Sequence, residues 1–344
     1  MEKSVGSLES FFYTIFDGLM KPLEEVIYNG GRLGWLYIGS AIVIVFALYI
    51  YQKHKGYSSD QSFLSYLKLK SVYWHPSAIM DYKFVFVASV VNTFLTPLLL
   101  FFVIFIVPVE EFLTSIFGQQ EARDPSMMSK VIYTLVTAVM YDFAKYWVHR
   151  ALHVFPVLWE FHKVHHSAEV LTPVTTTRGH PVESILYSFS ITVVMGTLAG
   201  FYSFMYGGDV DTYFLLGINL VIALTNIFSG NLRHSHFWLS YGPYVEHILS
   251  SPAQHQIHHS ADPKHFDKNF VGHFAFWDWM FGTLYVTTPK PENIEFGLGD
   301  ESKEYRSMDS LLLSPFTKSY RLVTSKWRNK RSADSKVIAD DEAG

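Results

Sequence analysis

Long apolar runs, broken by short charged segments, dominate the chain up to about residue 230. Residues 7–28 place Leu8, Phe11, Phe12, Ile15, Phe16, Leu19 and Leu23 at roughly helical spacing with acids between them, which predicts an amphipathic helix at a membrane interface. Residues 33–51 are almost entirely apolar and long enough to span a bilayer at about 1.5 Å per residue. Further spans are predicted over 84–107, which contains an uncharged stretch, and over 131–147, where Asp142 and Lys145 sit near the end. Two more, 185–206 and 211–230, are separated by a short acidic turn and together read as a pair of spans or a re-entrant hairpin. Past residue 290 the chain turns polar, and 291–344 reads as a cytoplasmic tail, partly disordered, with a basic stretch suited to anionic headgroups.

Composition supports the membrane reading. Of 344 residues, 49% are hydrophobic and only 17% charged, against roughly 25% charged in soluble domains. The net charge of −4, with no dominant basic face, implies no nucleic-acid partner. The N-terminus lacks a basic segment followed by an apolar core, so no cleavable signal peptide is expected. The chain contains no cysteine, which excludes disulfides, cysteine nucleophiles, thiolate-bound haem and cysteine-bound iron–sulfur clusters.

Loop charge sets an orientation. Lys53, Lys55, Lys68 and Lys70 lie between the first two spans, and Lys318, Arg321, Lys326, Arg328, Lys330 and Arg331 lie in the tail. The 108–130 connection and the turn after 206 are acidic. If each predicted span crosses once, the basic segments share one face, the cytoplasmic one. The expected fold is all-α: a polytopic helical bundle of about four to five membrane segments with a histidine-rich cytoplasmic cap. It divides into an amphipathic segment (1–32), a membrane-embedded domain carrying the site (33–290) and the polar tail (291–344).

The histidines carry the chemistry. Fourteen of the 16 fall between residues 149 and 273. Three groups stand out: H-R-A-L-H (His149, His153), H-K-V-H-H (His162, His165, His166) and H-Q-I-H-H (His255, His258, His259). Residues three or four apart on a helix share a face, so each group can point into a site, and the spans between them return all three to one side of the membrane. Eight imidazoles exceed what one metal with open positions needs and suit two. Neutral imidazole serves Fe, Zn and Cu. His234, in N-L-R-H-S-H, is the next candidate ligand, ahead of His180; His236, His247, His265 and His273 read as structural or supporting.

With their order and the apolar hairpin before the third group, these motifs resemble the sterol desaturase/fatty acid hydroxylase superfamily. So does H-Q-I-H-H-S-A-D-P-K-H-F-D-K-N-F followed by F-W-D-W-M-F-G-T-L. The resemblance covers about Tyr141 to Tyr285, and from Gly242 to Gly282 it looks nearest the alkylglycerol monooxygenase branch. It implies an integral membrane oxygenase with a histidine-bound di-iron centre facing the cytoplasm and O₂ as co-substrate. The implied substrate is a lipid (sterol, fatty acyl or ether lipid), and the implied reaction is hydroxylation. The alternative is desaturation, or ketolase chemistry on a carotenoid, by the same centre.

Two electrons per turnover would have to come from outside, because the chain shows no dinucleotide fingerprint and no fused haem domain. A reductase, cytochrome, ferredoxin or soluble pterin are the expected donor types. Asp142, seven residues before His149, is read either as orienting the imidazoles or as pairing with Lys145. Glu160, Glu169, Glu183, Asp267 and Asp278 are further supporting acids, and Arg178 and Arg233 pair with acids or with a headgroup. The tryptophans are read as channel lining or interface anchors. A metal transporter would instead line its spans with histidine, and a metal-dependent hydrolase would work without O₂.

Overall fold

The computed structural model describes residues 2–28, 34–59, 62–101, 106–208, 213–215 and 218–341. Helix dominates. Among the described residues the only strands are a two-residue antiparallel pair, Phe214–Leu215 against Ile218–Asn219. The principal helices are α1 (Glu2–Tyr28), α2 (Trp35–His54), α3 (Pro76–Phe101), α4 (Ile106–Phe117), α5 (Met127–Val154), α6 (Pro156–His166), α7 (Pro181–Tyr206), α8 (Leu220–Thr225), α9 (Pro252–His258) and α10 (Met308–Asp341).

Among the described residues three segments are long and apolar enough to cross a membrane: α2, residues 76–95 of α3, and α7. About 20 residues at about 1.5 Å each match a hydrocarbon core of about 30 Å. Their outward side chains are apolar too, among them Ile42, Val43 and Phe46 on α2 and Phe189 and Phe201 on α7. An apolar surface on all sides fits lipid as the surrounding solvent, and the chain is built as an integral membrane protein.

α5 contains the predicted 131–147 segment but runs on unbroken to Val154, delivering His149 and His153 at its end. The region predicted as a 211–230 span lies partly outside the described residues. Its described part is the strand pair, α8, a π turn over Asn226–Gly230 and one turn at Asn231–Arg233, not a single helix. Asn219 caps α8 through its side chain and also donates to α5 at Thr134 and Thr137. The chain is thus tied to α5 by polar groups inside what hydropathy alone reads as a continuous apolar run.

α1 has a helical partner. It packs along α3: Gly18 is so close to Val90 that a Cβ would sit 2.6 Å from its backbone, and Lys21 donates to Thr93 at 2.9 Å. The tail is helical in α10, whose first turns pack on α6 through Leu311, with Tyr305 of the preceding turn beside it.

Three helices around the site share one way of starting: an extended residue followed by proline at the first helical position. Phe155–Pro156 opens α6, His180–Pro181 opens α7 and Ser251–Pro252 opens α9. Proline fits the first turn, where its missing N–H is not needed, and forces the residue before it out of helical geometry. Phe155, at φ −91° and ψ 114°, therefore ends α5 and turns the chain so that α6 packs back on it. α6 is then fixed from behind, where Val164 is fully buried against Phe84 of α3 and Leu311 of α10. Each such side chain contributes on the order of 1.5–3 kcal/mol of burial.

Candidate metal centre

The structure brings nine histidines together in two adjoining groups. One holds His149, His153, His162, His166 and His258; the other holds His165, His234, His255 and His259. Within each group the candidate ligand atoms all lie within 4.8 Å of one another. The two groups touch where the His166 and His259 rings stack at 4.5 Å.

Helical geometry explains the division. In both H-x-x-H-H boxes the pair four apart turns to one group and the middle histidine turns to the other. His162 and His166 join His149 and His153, while His165 crosses over. His255 and His259 join His234, while His258 crosses over. A step of three residues undershoots a full helical turn and a step of four overshoots it, so these side chains diverge from a common line. Each box thereby serves two neighbouring centres.

The nitrogens have the spacing of donors around an ion. His234 Nε2 lies 3.0 Å from His255 Nε2 and 3.2 Å from both His165 Nε2 and His259 Nε2. In the other group His149 Nε2 and His162 Nε2 are 3.0 Å apart. With metal–nitrogen bonds of about 2.0–2.1 Å, neighbouring donors sit about 3.0 Å apart around an octahedral ion and about 3.4 Å around a tetrahedral one. The Nε2 atoms of His153, His166 and His258 are buried and have no hydrogen-bond partner. Buried polar atoms are normally partnered, so this inward set fits a cation.

The opposite ring nitrogens are held from outside. His149 Nδ1 is 2.6 Å from the Phe270 carbonyl, His258 Nδ1 is 2.8 Å from the Lys268 carbonyl, and His162 Nδ1 is 2.7 Å from Glu183 Oε2. Acceptors there place the proton on Nδ1 and leave the Nε2 lone pair facing inward. Burial, reinforced by neighbouring imidazoles, holds His149, His153, His162, His166, His255 and His259 well below the ordinary histidine range. Burial takes His165 down to about 3 and His258 to about 4. All eight are neutral near pH 7, the state that binds metal.

The supporting carbonyls come from a constrained loop. Asp267 and Asn269 adopt left-handed backbone at φ 57° and 56°, unusual for residues other than glycine. Asn269 is locked there by its own side chain, which donates to the Gln254 and Tyr285 carbonyls and accepts from Tyr285 N. Asp278 accepts from Phe270 N, Val271 N and Thr283 Oγ1, so the Phe270 peptide is held on the side away from His149. Burial raises the Asp278 carboxyl to about 7 against the pull of those donors.

The other candidates fall into definite places. Asp142 is fully buried and accepts from the backbone N–H groups of Gly272, His273 and Phe274. It therefore ties α5 to the loop after Phe270 and touches no imidazole among the groups above. Arg178 is not a headgroup site: buried, it pairs with Asp81 at 2.7 Å and donates to the Val164 carbonyl and Ser167 Oγ. Glu160 binds Lys163 and Glu169 binds Arg306, both away from the imidazoles. Asp267 Oδ1 stands 3.6 Å from His153 Nδ1. His180 lies outside both groups: it caps α7 by accepting from Val182 N and donates to the Leu312 carbonyl. Sequence reasoning missed the Phe270 and Lys268 carbonyls, because a backbone acceptor leaves no residue signature.

A cavity of about 600 Å³ reaches both groups, touching His149 and His162 of one and His165, His234 and His255 of the other. It continues between Val85–Asn92 of α3, Tyr141 and Lys145 of α5, and Ser184–Ile191 of α7. The site therefore opens into the apolar helices, with Lys145, Asn92 and several hydroxyls on its wall.

Residues 134–283 match the family model described as fatty acid hydroxylase, and they contain all nine histidines. The chain is 31% identical over 166 residues to an alkylglycerol monooxygenase of Danio rerio, covering 46% of this chain and 31% of that protein. It is 28% identical over 198 residues to an ornithine lipid hydroxylase of Rhizobium tropici, covering 57% of this chain and 53% of that protein. To a very-long-chain aldehyde decarbonylase of Oryza sativa subsp. indica it is 27% identical over 161 residues, covering 44% and 23%. It thus spans about a quarter to a half of the length of these relatives. No solved structure gives a significant match. The matches bear out the superfamily resemblance carried by the histidine boxes, including its alkylglycerol branch.

Proposed function

We propose that the fatty acid hydroxylase domain of this chain inserts one oxygen atom of O₂ into a lipid C–H bond at a di-iron centre. The observation that carries this reading is the joining of two clusters of buried imidazoles, eight of them neutral by burial, to a cavity that runs into the membrane helices. His149, His153, His162, His166 and His258 would hold one iron, and His165, His234, His255 and His259 the other. Bound there, iron supplies the O₂ chemistry that an unactivated C–H bond requires.

The chain's own residues supply position and electrostatics. The carbonyls of Phe270 and Lys268 and the Glu183 carboxylate fix ring orientation. The walls from α3, α5 and α7 exclude water and align the lipid. Lys145 lines the cavity one turn before His149, where its ammonium offers a contact for a polar lipid group. Hydroxylation and desaturation differ in which hydrogens the wall presents, and the named lipid hydroxylase and monooxygenase relatives favour hydroxylation. Electrons come from an external donor.

In this reading α2, α3, α5 and α7 cross the bilayer, α5 through its 131–147 portion, and the segment from Tyr213 to Arg233 returns the chain to the histidine side. The basic 53–70 connection then lies on the histidine side, which puts the centre in the cytoplasm.

Lipid mass spectrometry of cells with and without the protein tests the proposal. The expected result is a lipid that gains one oxygen atom and disappears on His165→Ala or His258→Ala. A product that survives both substitutions sinks the assignment.

A further inference from the structure

A second cavity, of about 530 Å³, lies on the far side of Arg233 from the metal centre. Arg233 lines both cavities, and its side chain is buried. Ile44, Val221, Leu224, Phe228, Leu249 and Phe274 give the second cavity its apolar walls. The polar groups at its inner end are engaged with one another. Arg233 donates to Ser229 Oγ at 2.9 Å and approaches His273 Nδ1 at 3.2 Å, and Thr225 Oγ1 lies 2.7 Å from the same nitrogen. Ser250 also lines the cavity and keeps a buried hydroxyl without a partner.

The position of this cavity identifies its surroundings. Ile44 is midway along α2, and Ile222 of α8 packs with Phe274 on Ala138 of α5. Ala138 is 11 residues before His149, about 16 Å down the helix at about 1.5 Å per residue, inside the bilayer by the membrane reading above. The rim is apolar and open, with Phe228 61% exposed and Val245 42%. Apolar surface of this kind at membrane depth is solvated by lipid chains.

We propose that the second cavity takes one hydrocarbon chain of a bilayer lipid, entering past Phe228 and Val245, with Arg233 as the wall between it and the metal cavity. A water-filled apolar cavity at this depth is unfavourable, and the walls short of the polar inner end offer a chain apolar contact. The guanidinium, bonded to Ser229 and facing His273, blocks passage to the histidines. The cavity is therefore a separate lipid site.

Photolabelling of the full-length protein in nanodiscs tests this. The probe is a phosphatidylcholine carrying a mid-chain diazirine, with labelled peptides mapped by mass spectrometry. The expected result is labelling within 221–229 and 245–250, falling about tenfold when Leu249→Trp fills the cavity. Labelling of lipid-facing Phe189 on α7 should stay unchanged. Where Leu249→Trp does not fold, as judged by its melting transition, the smaller Val221→Phe takes its place and should give the same loss. Wild-type labelling confined to α7, or undiminished labelling in a folded, filled variant, overturns the proposal. Because the readout is occupancy, it stands apart from whether the metal centre oxidises a lipid.

Discussion

Glu183 and His162 are joined by a 2.7 Å contact between Oε2 and Nδ1, while the other Glu183 oxygen accepts from His180 N at 3.0 Å and caps α7. One carboxylate therefore sets the start of a membrane helix and the orientation of an imidazole at the centre. A helix cap alone contributes about 1 kcal/mol. Orienting a metal-binding histidine is worth about 10–100-fold in metal affinity.

These two roles separate by substitution. Glu183→Gln keeps an acceptor oxygen for the cap and removes the carboxylate from His162. The expected outcome is a melting temperature near that of the parent with metal affinity reduced about 10–100-fold. Titration of the metal-stripped protein with Fe(II) measures it. Unchanged affinity would show that Glu183 acts on the helix alone.

His234 and His180 form a second contrast. His234 Nε2 is within 3.2 Å of three other Nε2 atoms, whereas His180 caps α7 outside both groups. His234→Ala is expected to lose about one metal per chain and reduce lipid oxidation by about 100-fold or more. His180→Ala should keep both metals and cost on the order of 1 kcal/mol of stability. Metal analysis of the two purified variants decides between them, and equal metal content counts against His234 as a ligand.

Much of the site was legible because helical spacing is a strong constraint. Histidines three and four apart must share a face, so the convergence of the three boxes follows from their spacing and the intervening spans. The division into five and four was not legible, since it depends on the rotation of α6 and α9 about their axes. Val164 against Phe84 and Leu311 sets that rotation for α6 through a contact distant in sequence. The same limit applies to the 211–230 run. Hydropathy counts apolar residues, while Asn219, Asn226 and Gly230 mark where the structure breaks the run into shorter turns.

Acid should destabilise the metal-stripped protein. The folded imidazoles titrate below their ordinary value of 6.5, with His258 at about 4 and His165 at about 3. In the unfolded chain they take up protons near pH 6.5, so below that pH the unfolded state binds more protons and is favoured. The stability is fully present above about pH 6.5 and is lost as pH falls toward the folded values. His258 alone accounts for about 3 kcal/mol over that window. Melting temperatures from pH 8 to pH 5 should fall steadily below about 6.5, and bound metal should flatten the curve. A flat profile without metal would contradict neutral burial of these rings.

Arg178 connects the membrane helices to the centre, and its geometry gives a sharp test. Its guanidinium pairs with Asp81 Oδ1 at 2.7 Å and donates to the Val164 carbonyl at 2.9 Å, between His162 and His165 in sequence. A further bond goes to Ser167 Oγ at 2.8 Å, just past the end of α6. Lysine cannot reproduce this planar fork. Arg178→Lys should keep the charge beside Asp81 yet free the end of α6, so metal affinity falls more than stability does. Arg178→Ala leaves Asp81 buried without its cation and should cost about 3–5 kcal/mol. The double variant Arg178→Met with Asp81→Leu removes both charges and should recover most of that stability without restoring affinity, because the Val164 carbonyl and Ser167 Oγ still lack the guanidinium that holds them. Recovery of metal affinity along with stability in the double variant would show that Arg178 serves only the ion pair.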